Sequence, residues 1–306
     1  MKILITGGAG FIGSHLADLL LKEQVETVVL DNLSTGLAKN VPDGAKFIKM
    51  DVRAKGLADV FAEEGFDAVV HLAAQTMVNV SLDDPFFDGE NNILGGINLL
   101  EACRKKSVKR VVFSSSAAVY GNVKIVPIKE HYDKMPTSFY GLSKLTFERY
   151  LELYQKNFSL DYIVLRFANV YGERQGDGGE GGVISIFAKR AAQGAPIDIF
   201  GDGGQTRDFV YAGDIAAGIW RALKSDKINT AYNLSNKEET SINQLAGMLG
   251  KITGKKIGAK YGPPRAGDIY RSILDNERAV RNLGWKTSVP LEEGLRRTCE
   301  YFANKT

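Results

Sequence analysis

Tyr140 and Lys144 stand four residues apart in Tyr140-Gly141-Leu142-Ser143-Lys144, and Ser116 closes the run Ser114-Ser115-Ser116. On a helix, positions i and i+4 share a face, so phenol and ammonium would stand side by side. A free tyrosine titrates at about pH 10 and is a poor base at neutrality. A neighbouring ammonium favours the phenolate. Bringing the phenol to about pH 7 takes about 4 kcal/mol of differential stabilisation. Two adjacent cations in a partly dry site can supply that. Ser116 lies just past the apolar run Arg110–Ser114. Its hydroxyl can bond a substrate hydroxyl and relay the proton to Tyr140. Taken alone, such a pair more commonly describes a surface tyrosine beside a solvated lysine. What lies upstream sets this one apart.

The run Lys2-Ile3-Leu4-Ile5-Thr6 passes into Gly7-Gly8-Ala9-Gly10-Phe11-Ile12-Gly13 and then a helical pattern. Gly7 permits a tight turn, Gly10 lets backbone approach a pyrophosphate, and Gly13 lets the helix pack on the strand. The helix N-terminus offers free N–H groups and positive dipole to phosphates. Asp31 follows strand Glu26–Leu30, where a carboxylate about 20 residues past the glycines accepts hydrogen bonds from an adenosine ribose. It also repels a 2′-phosphate, so NAD is expected over NADP. A bound nicotinamide would be the second cation beside Tyr140.

Apolar runs at Lys2–Thr6, Thr27–Leu30, Lys46–Met50, Ala68–Leu72, Arg110–Ser114 and Tyr162–Arg166 read as buried strands. Helical patterns at Ile12–Lys22, Leu57–Glu64, roughly 86–106 and Phe139–Phe158 separate them. Such alternation implies a doubly wound parallel α/β sheet, a Rossmann fold, with ligands beyond the carboxyl ends of the strands. The second half changes texture, with glycine-rich stretches at 176–182 and 201–204, a strand at Ala231–Ser235, and helices at Val183–Gln193, Ile242–Ile252, Asn276–Leu283 and Leu291–Phe302. We expect a dinucleotide-binding domain over 1–168, with a return segment near 208–235. Residues 169–306 would form mainly a smaller α/β substrate region. The loop at 176–182 reads either as a flap or as a mobile surface loop.

The 306 residues carry 39 basic and 36 acidic side chains, a net charge of +3. That balance argues against a nucleic-acid or membrane-surface protein. No apolar run is long enough to span a bilayer, and with a strand pattern starting at residue 2 no signal peptide is expected. Cys103 and Cys299 are far apart. We expect both to act as small apolar residues in a reducing cytoplasm. His15, His71 and His131 show no metal-ligand spacing, so no metal site is expected. His71 ends a buried strand and reads as a structural hydrogen-bonding group.

From residue 2 to near residue 300, the chain resembles the extended short-chain dehydrogenases/reductases, and among them the UDP-hexose 4-epimerases. The stretches that carry the resemblance are Thr6–Gly13, Asp31–Gly36, Asp51-Val52, His71–Ala74, Ser114–Gly121, Tyr140–Lys144, Arg166–Gly172, Thr206–Tyr211 and Arg265–Asp268. It implies NAD contacts from Gly7, Gly10, Phe11, Ile12, Gly13, Asp31, Asn32, Ser34, Gly36, Asp51, Val52, Leu72, Ala73, Ala74, Asn92, Ser114, Tyr140, Lys144 and Phe167. It implies substrate contacts from Ser116, Asn169, Val183, Arg207, Arg265, Asp268 and Ser272. Arg207 and Arg265 would clamp a nucleotide diphosphate, for which a guanidinium fork is suited. The bland alternatives are an ion pair to Asp208 or Asp214 for Arg207, and a solvated loop position for Arg265.

The resemblance implies an isomerase in which Tyr140, helped by Ser116, takes the O4 proton of a UDP-hexose while C4 passes hydride to NAD. The 4-keto sugar turns over, and hydride returns to its other face. Related sugar dehydratases carry an acidic pair after the serine. Here Ala117-Ala118 stand there and can do no acid–base work. A UDP-glucuronate epimerase or decarboxylase remains an alternative, and a non-catalytic nucleotide-binding scaffold a weaker one. Ser272 stands where some relatives carry tyrosine, which would leave space for N-acetylated hexosamines. The family's dimers pair two helices per subunit, here residues 86–106 and 139–158, so a homodimer is expected.

Overall fold

β-branched and aliphatic residues fill the apolar runs of the first half, and these runs form strands. They are β1 (Lys2–Thr6), β2 (Glu26–Asp31), β3 (Lys46–Lys49), β4 (Ala68–His71), β5 (Arg110–Ser116) and β6 (Asp161–Phe167). The computed structural model describes residues 1–176, 181–254, 257–264 and 269–305. Shorter strands follow: β7 (Asn169–Tyr171), β8 (Ile197–Phe200), β9 (Thr206–Arg207), β10 (Phe209–Tyr211), β11 (Thr230–Leu234), β12 (Thr240–Ser241), β13 (Ala259–Gly262) and β14 (Arg271–Ser272). Seven strands form one parallel sheet in the order β11-β6-β5-β4-β1-β2-β3. The order reverses between β1 and β4, which opens a crevice at their carboxyl ends.

The pleat sends alternate side chains to opposite faces. Ile3, Ile5, Val29, Val70 and Val112 pack on one face against α1 (Phe11–Lys22). Leu4, Val28, Leu30, Val69 and Val111 pack on the other, against α2 (Leu57–Glu64) and two of the helices that follow it. The helices that follow are α3 (Val78–Asp83), α4 (Pro85–Gly89), α5 (Gly95–Lys105) and α6 (Phe139–Phe158); α5 and α6 carry this core, and α3 and α4 pack on α6. Each aliphatic side chain so buried is worth about 1.5–3 kcal/mol relative to exposure.

A separate core joins Tyr171, Ile184, Phe187, Ile199, Leu245, Leu249, Leu295 and Phe302. It is built from α7 (Val183–Ala192), α9 (Ile242–Thr253), α11 (Leu291–Ala303) and short strand pairs, β7 with β10 and β8 with β13. The chain returns to the large sheet between these pieces. Helix α8 (Ala212–Lys224) packs on α1, β11 joins the sheet beside β6, and α10 (Glu277–Leu283) adds Ala279 and Leu283 to the first core.

The helix expected over 86–106 forms as one continuous run, with a wide π-helical turn at Glu90–Leu94 between α4 and α5. That turn lets Asn92 point inward, where its amide meets Gln75, Asp88 and Ser143. Helix α8 has no counterpart among the helical patterns of the sequence. Ile215, Ala216, Ile219, Ala222 and Leu223 carry its apolar stripe, but Gly213 and Gly218 obscure the pattern. Gly218 is there for packing, because a Cβ would lie 2.7 Å from the Leu234 side chain.

Candidate active site

The dinucleotide end of the cleft is shaped by the turn after β1. Gly7 has φ +71°, and a Cβ on it would meet the Ala73 backbone nitrogen at 2.6 Å. A Cβ on Gly13 would meet the Gly7 carbonyl oxygen at 2.3 Å. Strand end, turn and helix are therefore packed backbone to backbone. No side chain caps the N-terminus of α1, so its first N–H groups are available to an anion.

Asp31 is buried at the far end of this turn. Its carboxylate accepts from the N–H of Ala9 (3.0 Å) and of Leu33 (2.8 Å). It thus ties the glycine turn to the 31–36 loop and retains lone pairs for a ribose. Burial raises its pKa against these two hydrogen bonds. Asn32 donates to Asp51 (2.8 Å). The Arg53 guanidinium, bonded to both Asp51 oxygens, holds that carboxyl down at about 2.

Ser116 ends β5, and its Oγ accepts from the Ala118 N–H (3.2 Å) at the start of the turn Ala117–Tyr120. Ser138 caps α6 by accepting from the Gly141 N–H. A Cβ on Gly141 would lie 2.6 Å from the Ala118 carbonyl oxygen. The start of α6 is therefore pressed onto the turn that Ser116 begins. Tyr140 and Lys144, one helical turn apart, face the cleft together with Ser116.

Lys144 is 3% exposed, which makes its charge costly. Its Nζ donates to the Ser114 carbonyl (3.0 Å) and lies 5.8 Å from the Tyr140 ring centre. Burial pushes its pKa down to about 8, against the attraction of Asp88. His71 pairs with the Thr6 hydroxyl at 2.8 Å and packs on Phe113. Burial pushes it to about 3, so it stays neutral beside Lys144. This is the structural role read from its place at the end of β4.

These groups share a cleft of about 560 Å³. Every residue of the expected cofactor set except Asn92 lines it, as do Ser116 and Asn169. Asn92 lies behind the wall as a strut between the 75–77 segment, Asp88 and α6. Its neighbour Asn91 lines the cleft instead. Arg174 and Gln175 also line it and were missed, although both lie within three residues of the Tyr171-Gly172 stretch.

Arg207 and Ser272 lie outside the lining. They meet as partners in the small sheet β12-β9-β14, where Arg207 faces Ser272 on one side and Thr240 on the other. Asp208 accepts from the N–H groups of Asn236 and Lys237, and Asp214 accepts from the Ser288 hydroxyl and the Val289 N–H. Val183 starts α7, directly after Gly182 in the cleft wall. Arg265, Asp268 and the centre of the 176–182 loop lie outside the described residues.

The glycine cradle, the uncapped helix start and the buried carboxylate at the cleft's end fit an NAD molecule lying across the crevice. Residues 3–235 match the model of the NAD dependent epimerase/dehydratase family. A putative UDP-glucose 4-epimerase of Methanocaldococcus jannaschii is 43% identical over 99% of this chain and 98% of its own length. The UDP-glucose 4-epimerase of Thermotoga maritima, solved with UDP-glucose, is 41% identical over 100% of this chain and 99% of its own, with TM-score 0.97. That of Thermus thermophilus, solved with NAD, is 40% identical over 100% of both chains, with TM-score 0.94. The chain belongs to the NAD-dependent epimerase/dehydratase family.

Proposed function

We propose that this protein inverts C4 of a UDP-hexose, interconverting UDP-glucose and UDP-galactose through a 4-keto sugar. The observation that carries this reading is the meeting of Ser116, Tyr140 and Lys144 in one cleft with the glycine turn. The glycine turn and Asp31 would hold NAD, which when bound would supply a reversible acceptor for the C4 hydrogen. Lys144 keeps positive charge against Tyr140 and so favours its phenolate. Tyr140 takes the O4 proton, with the Ser116 hydroxyl relaying it, and later returns it. Net redox change is zero.

Asn169, Val183, Arg207, Arg265, Asp268 and Ser272 would hold the nucleotide sugar, mainly from residues 169–306. The diphosphate must be gripped while the sugar ring turns. Ala117 and Ala118, in the turn after Ser116, offer no acid for eliminating water. The half-buried Ser272 beside Arg207 supports a second substrate class, the N-acetylated UDP-hexosamines. Exposed apolar side chains at Phe86, Leu94, Leu142 and Leu153 support a homodimer through the flank of α4, α5 and α6. The two buried free cysteines support a reducing, cytoplasmic setting.

Incubation with UDP-galactose, UDP-N-acetylglucosamine and UDP-glucuronate, with products resolved by chromatography, tests this reading. C4 epimers of the first are expected, and their loss in Tyr140→Phe. Turnover of UDP-glucuronate alone would replace it with the glucuronate epimerase reading.

A further inference from the structure

We propose that the buried Glu148–Arg166 ion pair is a positioning device that sets α6 against β5 and so fixes Tyr140 relative to Ser116. This deepens the proposed function and rests on its assignment of Ser116, Tyr140 and Lys144.

Tyr140, Lys144 and Glu148 follow one another at four-residue intervals, so they form a single stripe along α6. The stripe docks on two consecutive residues of β5, directly before Ser116. Lys144 Nζ donates to the Ser114 carbonyl (3.0 Å), and Glu148 Oε1 accepts from Ser115 Oγ (2.6 Å). The next residue on the strand is Ser116. This two-rung ladder ends beside Ser116, which lines the cleft together with Tyr140.

Arg166 locks the ladder from the other side. It is the partner of Ser115 across the β5–β6 pair. Its Nε and Nη2 bond to the two Glu148 oxygens at 3.0 and 2.6 Å. Its Nη1 donates to the Tyr120 hydroxyl (2.8 Å) and the Glu130 carbonyl (3.0 Å). Tyr120 ends the turn that Ser116 begins, and its hydroxyl donates to Asn233 Oδ1 (2.7 Å). One guanidinium therefore holds β6, α6 and the turn that aims Ser116. Both charged side chains are 5% exposed.

Stability is a poor reason for such a pair. Replacing a buried ion pair by apolar groups of similar volume is commonly neutral or stabilising, whereas deleting one partner is not. Geometry is a better reason, since a misplacement of about 1 Å can cost about 100-fold in rate.

The test is the double variant Glu148→Leu/Arg166→Met, assayed on the NAD-bound protein with UDP-galactose. We expect it to fold and melt no lower than the parent, with bound NAD retained. KM should stay within about twofold while kcat falls roughly 10- to 100-fold. The Tyr140 phenol, titrated by difference absorbance against Tyr140→Phe, should move to higher pH. A folded double variant with kcat within about twofold of the parent overturns the proposal. If the double variant does not fold, Glu148→Gln, which puts an amide against the guanidinium, is judged by the same criteria. Leu223→Ala, a buried deletion in α8, controls for lost stability alone and should leave kcat unchanged. If the parent turns over no UDP-hexose, the functional reading fails, and the phenol titration still decides: no shift in the double variant overturns the positioning role.

Discussion

The Nζ of Lys144 lies 5.8 Å from the centre of the Tyr140 ring while donating to the Ser114 carbonyl at 3.0 Å. The strand thus holds the cation in place, and the cation faces the phenol. The same burial that strengthens its field on Tyr140 makes the charge expensive to fold.

Replacing Lys144 by methionine should therefore trade activity for stability. The lysine is driven from 10.5 to about 8, equivalent to about 3 kcal/mol of disfavoured charge. Its bond to Ser114 offsets about 1 kcal/mol of that. We expect Lys144→Met to lose at least about 100-fold in kcat and, free of NAD, to gain about 1–2 kcal/mol in urea unfolding. A variant both slow and less stable would show that the ammonium stabilises the fold.

The same group predicts opposite pH trends for rate and stability. Below about 8 the folded lysine is charged and would favour the Tyr140 phenolate. Between that value and 10.5, the unfolded chain binds a proton that the folded chain does not, so stability rises with pH. Turnover should fall over the same interval. Parallel measurement of kcat and urea midpoint checks this. A decline of both together would assign the alkaline limb to unfolding.

The parts of the site legible in the sequence are those whose chemistry demands fixed residue types at fixed spacing. Gly7, Gly13, Asp31, Ser116, Tyr140 and Lys144 are of this kind. The meeting of Arg207 with Ser272 was not legible, because two-residue strands distant in sequence carry no periodicity. The setting of Asn92 was not legible for a related reason. Its residue type suits ligand contact, and the wide turn points it into a buried network. The burial of Arg166 against Glu148 was not legible either, since nothing local in the sequence indicates it.

Ser272 should govern tolerance of an N-acetyl group. It is half-buried and sits in register with Arg207 across β9 and β14. A tyrosine there would fill space beside Arg207. We expect Ser272→Tyr to lose turnover of UDP-N-acetylglucosamine at least about tenfold more than turnover of UDP-galactose. Equal losses on both substrates would remove Ser272 from the sugar pocket.

Asp208 predicts a component of stability that weakens as pH rises. Its carboxylate is 1% exposed and accepts from the N–H of Asn236 (2.8 Å) and Lys237 (3.1 Å), while its own carbonyl accepts from Asn169 (2.9 Å). Burial pushes it from 3.8 up to about 7, with backbone hydrogen bonds opposing. Between those values the folded chain keeps a proton that the unfolded chain has released. The stability present below 3.8 is thus lost as pH climbs through about 7, by up to about 4 kcal/mol. Asp208→Asn carries a permanently neutral group and removes this component, although it gives up one acceptor oxygen. The variant should be less stable than the parent at pH 4, and the gap should narrow toward pH 7 in urea midpoints measured across that range. A gap constant with pH would mean that the carboxylate stays ionised in the fold, held by the backbone N–H groups that converge on it.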